Sequence, residues 1–414
     1  MRPRNQHPAA LAATFALGLL FATGCAKIDA IAPPPRANGS ADFSSYVAMG
    51  TSISMGIQSG GLLDVHQRTS IPALIARQTG ANGGSFFQPL VAAPGIPNLI
   101  VVTSLAPLTF GTLPGTPPAG PYVSRPADGY DNLAISGAVV AAAIAQPSGF
   151  PYFDLVLQGQ GSMLRQTLAQ KPTFITVELG VNDAVRPLLL GGDLSTLISV
   201  PAFATLYTQL MDSIAVGAPN ARLALANIPQ VTLIPYAATV PLVVNAPFGP
   251  GGTLVPVRLR DSAGPLPDGT LILLPAGPLI ASGYGFPSPA PPLPDSLVIT
   301  LVERSAIESA VTGFNAAIAA EAQARGAALV DEFALSERVS RDGVRIAGVR
   351  YTTAFVSGGL FSLDGVHPST LGSGILANAF LEAINTKFGA RIPPVNLAEL
   401  ARMAPPPPVF AVAR

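Results

Sequence analysis

Four short apolar-rich runs constrain this chain more than anything else in it. They cover residues 43–49, 174–179, 222–226 and 327–330, and the first ends at Gly50. Each has the length of a buried strand, and segments of helical period lie between them. Residues 69–80 start polar, carry Pro72 in the first turn and stop at Gly80, which predicts a helix. Phe203, Leu206, Tyr207, Leu210 and Ile214 recur at helical spacing up to Gly217, and Ile307, Val311, Phe314 and Ile318 do so up to Gly326. A last helix is expected over 369–388, with Leu371, Ile375, Ala379 and Ile384 on one face. Strand alternating with helix predicts an α/β fold: three layers, α/β/α, around a mainly parallel central sheet.

Two stretches, about 81–128 and 236–298, interrupt the alternation. Both are rich in Gly, Pro and small apolar residues and carry few charges, and they are read as insertions. Gly 41 and Pro 43 make up about a fifth of the 414 residues, below the roughly 25–30% at which low complexity becomes the default. Lys+Arg 23 balances Asp+Glu 23. That leaves no electrostatic footprint for nucleic acid, which is not expected as a partner.

The N-terminus has the pattern of a targeting segment. Arg2 and Arg4 precede an apolar stretch over 9–22, followed by Thr23, Gly24 and Cys25, the only cysteine in the chain. This resembles a bacterial lipoprotein signal (with Ala22 where Leu is usual). The resemblance implies a signal peptide over 1–24, a lipid on Cys25 and a tether over 25–42. The protein would then be extracytoplasmic and held to the cell envelope through that lipid, with Ala26 after the cysteine pointing to the outer membrane. With Cys25 lipidated, no thiol remains for a disulfide, a nucleophile or a thiolate metal site. A tail is expected over 391–414, disordered from Ala404, where four consecutive prolines follow.

Open α/β sheets gather function at the carboxyl ends of their strands, so the residues just after each run matter. Gly50-Thr51-Ser52-Ile53 comes after the first and Gly180-Val181-Asn182-Asp183 after the second. Asn132 to Ala138, containing Gly137, lies between them, and Asp364-Gly365-Val366-His367 comes after the last. Of three histidines, His7 lies in the leader, leaving His66 and His367 for base chemistry near neutral pH. Only His367 has a carboxylate three residues upstream. Acyl transfer needs a nucleophile, a base and donors for an oxyanion. Ser52, His367 and Asp364 can supply the triad, and Asn182 with the N–H groups of Gly137 and Ser52 can supply the hole. Each also has a structural alternative: Ser52 as a helix cap, Gly137 as a turn glycine, Asn182-Asp183 as an N-terminal helix pair. His66 is expected on a surface loop.

The four blocks in this order resemble the SGNH (GDSL-type) hydrolase family over about residues 43–390. The resemblance implies a flavodoxin-like fold and a serine esterase, with Ser52, Gly137, Asn182 and His367 as the four residues of the acronym and Asp364 completing the triad. Thr51 stands where the family usually has Asp. Asn227-Ile228-Pro229 after the third run is also typical of such hydrolases and is assigned to shaping the site. No cofactor or metal is expected: no H-E-x-x-H, cysteine cluster, phosphate loop or dinucleotide fingerprint occurs. The expected substrate is a small or lipid-like carboxylic ester with an apolar part. A carbohydrate O-deacetylase of the same fold is the alternative enzyme, and a non-catalytic surface binding lipoprotein the alternative outside enzymes.

Overall fold

The computed structural model describes residues 37–105, 108–145, 151–248 and 250–403. The four apolar runs become strands β1 (Tyr46–Gly50), β2 (Phe174–Glu178), β3 (Arg222–Ala226) and β4 (Ala328–Val330). They lie parallel in the order β1-β2-β3-β4, with Tyr46 opposite Phe174, Phe174 opposite Arg222, and Ala328 opposite Ala224. On the far side of β1, the Leu133 N–H donates to the Ala48 carbonyl and the Ile135 N–H to the Gly50 carbonyl. The chain thus runs from β1 to one side and returns to place β2 on the other. That reversal opens a crevice at the carboxyl ends of β1 and β2, where open α/β sheets bind ligands.

Alternate residues of the strands feed two separate cores, as the period of two requires. Val47, Met49, Ile175, Val177, Leu223 and Leu225 face one core. It is closed by α3 (Val181–Leu189), α4 (Val200–Gly217) and α5 (Leu301–Ala324). The Phe203 and Phe314 rings of α4 and α5 stack there with centroids 4.1 Å apart. Tyr46, Ala48, Phe174, Ala224, Ala328 and Val330 face the other core, against α2 (Ile71–Thr79) and α7 (Thr370–Phe388). Three layers, α/β/α, result. Local signals set the helix ends: Thr300 and Glu303 form a capping box on α5, and Ser199 and Ser369 cap α4 and α7.

Several elements differ from the sequence reading. On α7 the buried stripe runs through Leu371, Ala377, Phe380, Leu381 and Ile384, while Ile375 and Ala379 are only partly buried. Helices α1 (Ser52–Met55), α3 and α6 (Glu332–Asp342) begin two or three residues after the end of a strand, and three more helices, Val140–Ile144, Pro151–Leu157 and Met163–Ala169, precede β2. The first insertion carries the antiparallel hairpin Ile100–Leu105 with Leu108–Thr112. The second is more than a loop: Leu259, Leu266, Ile272, Ala276, Leu293 and Val298 bury one another in a small core of its own. Residues 391–403, read as the start of a tail, instead pack onto the second core through Ile392, Val395 and Leu400, the last on α8 (Leu397–Met403). The end of the tether is also held, since Ala37 bridges Arg391 and Ala41 is buried. The leader, Cys25, the tether up to residue 36 and the stretch from Ala404 lie outside the described residues.

Candidate active site

Ser52 opens the short helix α1 directly after β1. Thr51 caps that helix, its hydroxyl oxygen accepting from the Ile53 N–H. The turn hangs on Glu178, the last residue of β2. That carboxylate accepts from the Thr51 N–H (3.0 Å), the Thr51 hydroxyl (2.8 Å) and the Ser54 N–H (3.3 Å). Gly50 permits this approach, because a Cβ there would press on Ser54 and the Glu178 carboxylate. The position that departs from the usual Asp is therefore occupied by a threonine held by an acid from the neighbouring strand.

The loop before α7 brings the second half. Asp364 Oδ2 lies 2.9 Å from His367 Nδ1 and accepts from the Gly60 N–H at 2.7 Å. Its Oδ1 accepts from the N–H groups of Val366 and His367 and from the Ser362 hydroxyl. Burial alone would raise this carboxyl. The His367 ring and the converging N–H donors outweigh that and hold it well below the usual carboxylate range. Bonded at Nδ1, the imidazole has Nε2 left for a reacting group.

Ser52, Gly137, Asn182 and His367 all line one cavity of about 340 Å³. Among the described residues no hydrogen bond joins Ser52 to His367, and such bonds commonly tighten only with substrate bound. Gly137, at φ +80°, turns the chain after the segment beside β1. Its N–H and that of Ser52 have no acceptor among the described residues. Asn182, in the first turn of α3, donates one amide hydrogen to the Ala138 carbonyl at 2.9 Å and keeps the other. The next residue, Asp183, is buried and accepts from the Val140 N–H, which ties α3 to the Gly137 segment. The rest of the wall is mainly apolar, with Val185, Leu189, Val231, Leu335, Phe361 and Ile375 among its residues. A hydroxyl, an imidazole–carboxylate pair and free N–H donors around one apolar cavity can carry out acyl transfer on an ester.

The sequence model for GDSL-like lipases and acylhydrolases matches residues 46–380, from the start of β1 into α7. The chain belongs to that family. As a GDSL-type protein it is an ester-hydrolysing serine hydrolase. Solved structures similar to it include a putative GDSL-like lipase from Parabacteroides merdae (13% identity, 82% of this chain and 94% of that one, TM-score 0.36). The esterase EstA from a Pseudoalteromonas species, inhibited by monoethylphosphonate, is similar at 13% identity over 84% of this chain and 99% of that one, TM-score 0.34. A catalytic mutant of Axe2, an acetylxylan esterase from Geobacillus stearothermophilus, is similar at 13% identity over 82% and 93%, TM-score 0.37. No curated protein matches the chain.

In this GDSL-type hydrolase the other histidine stands apart. His66 is not on a surface loop: it belongs to the short helix Asp64–Gln67, is half-buried and does not line the cavity. Burial lowers it to about 4, against the opposing pull of Asp64. Asn227 bridges β3 to α6, donating to Asp331 and accepting from the Phe333 N–H, while Pro229 reaches the cavity wall. Two acids escaped the sequence reading, Glu178 and Glu332. Their one signal is position: each stands at an end of an apolar strand where burial is expected. Burial raises both. The donors on Glu178 oppose that shift, whereas among the described residues Glu332 Oε1 has no donor, and the neighbouring Glu178 carboxyl raises Glu332 further. Among the described residues, no group of three or more His, Cys, Asp or Glu side chains comes together as a metal site.

Proposed function

We propose that this GDSL-type hydrolase cleaves carboxylic esters with an apolar part through an acyl-enzyme on Ser52. The observation that carries the reading is the Asp364–His367 pair, 2.9 Å apart, whose His367 lines the same apolar cavity as Ser52. In this mechanism His367 Nε2 takes the Ser52 hydroxyl proton as Oγ attacks the ester carbonyl carbon. The oxyanion receives the N–H groups of Ser52 and Gly137 and the second Asn182 amide hydrogen. His367 then returns the proton to the leaving alkoxide, and water releases the acid by the same steps. Asp364 fixes the ring tautomer and stabilises the imidazolium.

The mainly apolar wall favours an aliphatic acyl or alcohol chain over an acetylated sugar, whose ring hydroxyls would lack partners along most of it. A chain-length series of chromogenic esters, with an acetylated sugar beside it, tests this. Turnover should rise from acetate toward medium chains. A preference for acetyl esters and the sugar would favour the deacetylase instead.

We place the enzyme outside the cytoplasm, anchored by a lipid on Cys25, on the strength of the leader pattern. Intact-mass analysis of membrane-extracted protein should find acyl additions on an N-terminal Cys25. A bare N-terminus at another residue would remove the anchor without touching the esterase reading. Because Ala37 and Ala41 pack on the body, a soluble form should begin at Ala37 rather than later.

A further inference from the structure

Glu332, the first residue of α6, lines the cavity although it is only 2% exposed, and its Oε1 has no hydrogen-bond partner. Gln230 shares that wall. Its N–H donates to Ser336 Oγ at 2.9 Å, and Ser336 lies one helical turn beyond Glu332. The Gln230 Oε1 is likewise buried without a partner, and Gln230 too lines the cavity. Ser340, a further turn along α6, continues the polar strip beside Leu335 and Val339. Two buried oxygens without a partner among the described residues, on side chains that line one cavity, are costly unless something arrives to pair with them.

The chemistry of the two residues decides which group that is. Burial and the neighbouring Glu178 carboxyl both raise Glu332, which favours the neutral acid, a donor and an acceptor at once, while the Gln230 oxygen offers an acceptor. An ammonium would need Glu332 ionised, which both influences oppose. A carboxylate, which has no proton to give, would leave the Gln230 oxygen unpaired. A hydroxyl group, able to donate and accept at once, fits both residues.

We infer that Gln230 and Glu332 form a polar subsite in the substrate cavity that selects esters whose apolar chain carries a hydroxyl group. This rests on the esterase reading and adds a substrate class to it. The hydroxyl can belong to the acyl chain or to the alcohol, and the two are separable by experiment. One arm compares para-nitrophenyl octanoate with analogues bearing the hydroxyl at successive carbons. The other compares octyl acetate with the monoacetates of octanediols.

On one arm, a hydroxylated ester should exceed its parent in kcat/KM by about tenfold. Glu332→Leu and Gln230→Leu should each collapse that ratio toward one, while Glu332→Gln, which keeps a donor and an acceptor, should preserve most of it. Should Glu332→Leu fail to fold, Gln230→Leu carries the same test. Hydrolysis of parent and hydroxylated esters at equal efficiency on both arms would overturn the subsite and leave the esterase standing. So would a ratio that survives both leucine substitutions. No hydrolysis of any ester would remove the esterase reading and the subsite with it.

Discussion

Two pairs of side chains each send one member to the cavity wall, His367 and Glu332, and their acids differ in the donors around them. Asp364 sits in the loop before α7 with five donors around it, the His367 ring among them, and is held charged. Glu178 and Glu332 sit under the Ser52 turn and at the start of α6, both buried, and burial raises both. The difference is not depth alone, because Asp364 is also largely buried. It is the supply of donors: five for Asp364, the backbone N–H groups and hydroxyls of Thr51 and Ser54 for Glu178, and, among the described residues, none for Glu332 Oε1. A buried carboxyl takes the charge state its donors can support. One site can thus hold a charged acid to orient a base beside an acid that burial pushes toward its neutral form.

The largest effect should come from the charged pair. His367→Ala should lower ester turnover by a factor on the order of 10³ or more, while His66→Ala, away from the cavity, should leave it near wild type. Asp364→Asn should retain one to two orders of magnitude more activity than His367→Ala, roughly the gap seen when a triad acid rather than the base is lost. Steady-state rates on one chromogenic ester rank the three. Equal losses from His66→Ala and His367→Ala would break the contrast at its base.

Glu178→Gln tests the other side. An amide offers one acceptor oxygen in place of two, so the Thr51 and Ser54 donors lose part of their anchor. Denaturant unfolding should show a loss of about 1–3 kcal/mol, with a fall in turnover because Ser52 rides on the same turn. A fully stable Glu178→Gln enzyme would mean the turn does not need the charge.

A pH-dependent effect concerns Asp183, an intermediate case with one N–H donor from another segment. Burial raises it from 3.8 to about 7, partly offset by the Val140 N–H. Because folding raises this acid, the folded state keeps its proton through that window, and stability falls as pH rises across it. Asp183→Asn removes the titration and still accepts from Val140. Its unfolding free energy should exceed that of the wild type above about pH 7, by a margin on the order of 2–4 kcal/mol or less, with the margin vanishing below about pH 4. An advantage that does not change with pH would contradict the assignment.

These contrasts also show what a sequence can carry. The parallel sheet was legible because four buried strands leave continuous apolar runs. Ser52, Gly137, Asn182, Asp364 and His367 were legible because each follows a strand or sits in a short spaced block. Glu178 and Glu332 were not, since their meaning depends on Thr51, Ser54 and Gln230, which are distant in sequence from at least one of them. His66 was misplaced because nothing local shows that the short helix around it packs against the body. The second insertion hid its core because Leu259, Leu266, Ile272 and Leu293 follow no helical or strand period. Residues 391–403 hid theirs because Ile392, Val395 and Leu400 are buried only by α7 and its surroundings.

The central claim is that Ser52, activated by the Asp364–His367 pair, is the nucleophile. Fluorophosphonate labelling of the soluble form, followed by intact-mass and peptide analysis, tests it most directly. One adduct should form, on Ser52, with loss of ester turnover in step, and His367→Ala should greatly slow its formation. An adduct on another serine, or ester hydrolysis that persists in Ser52→Ala, would contradict the account.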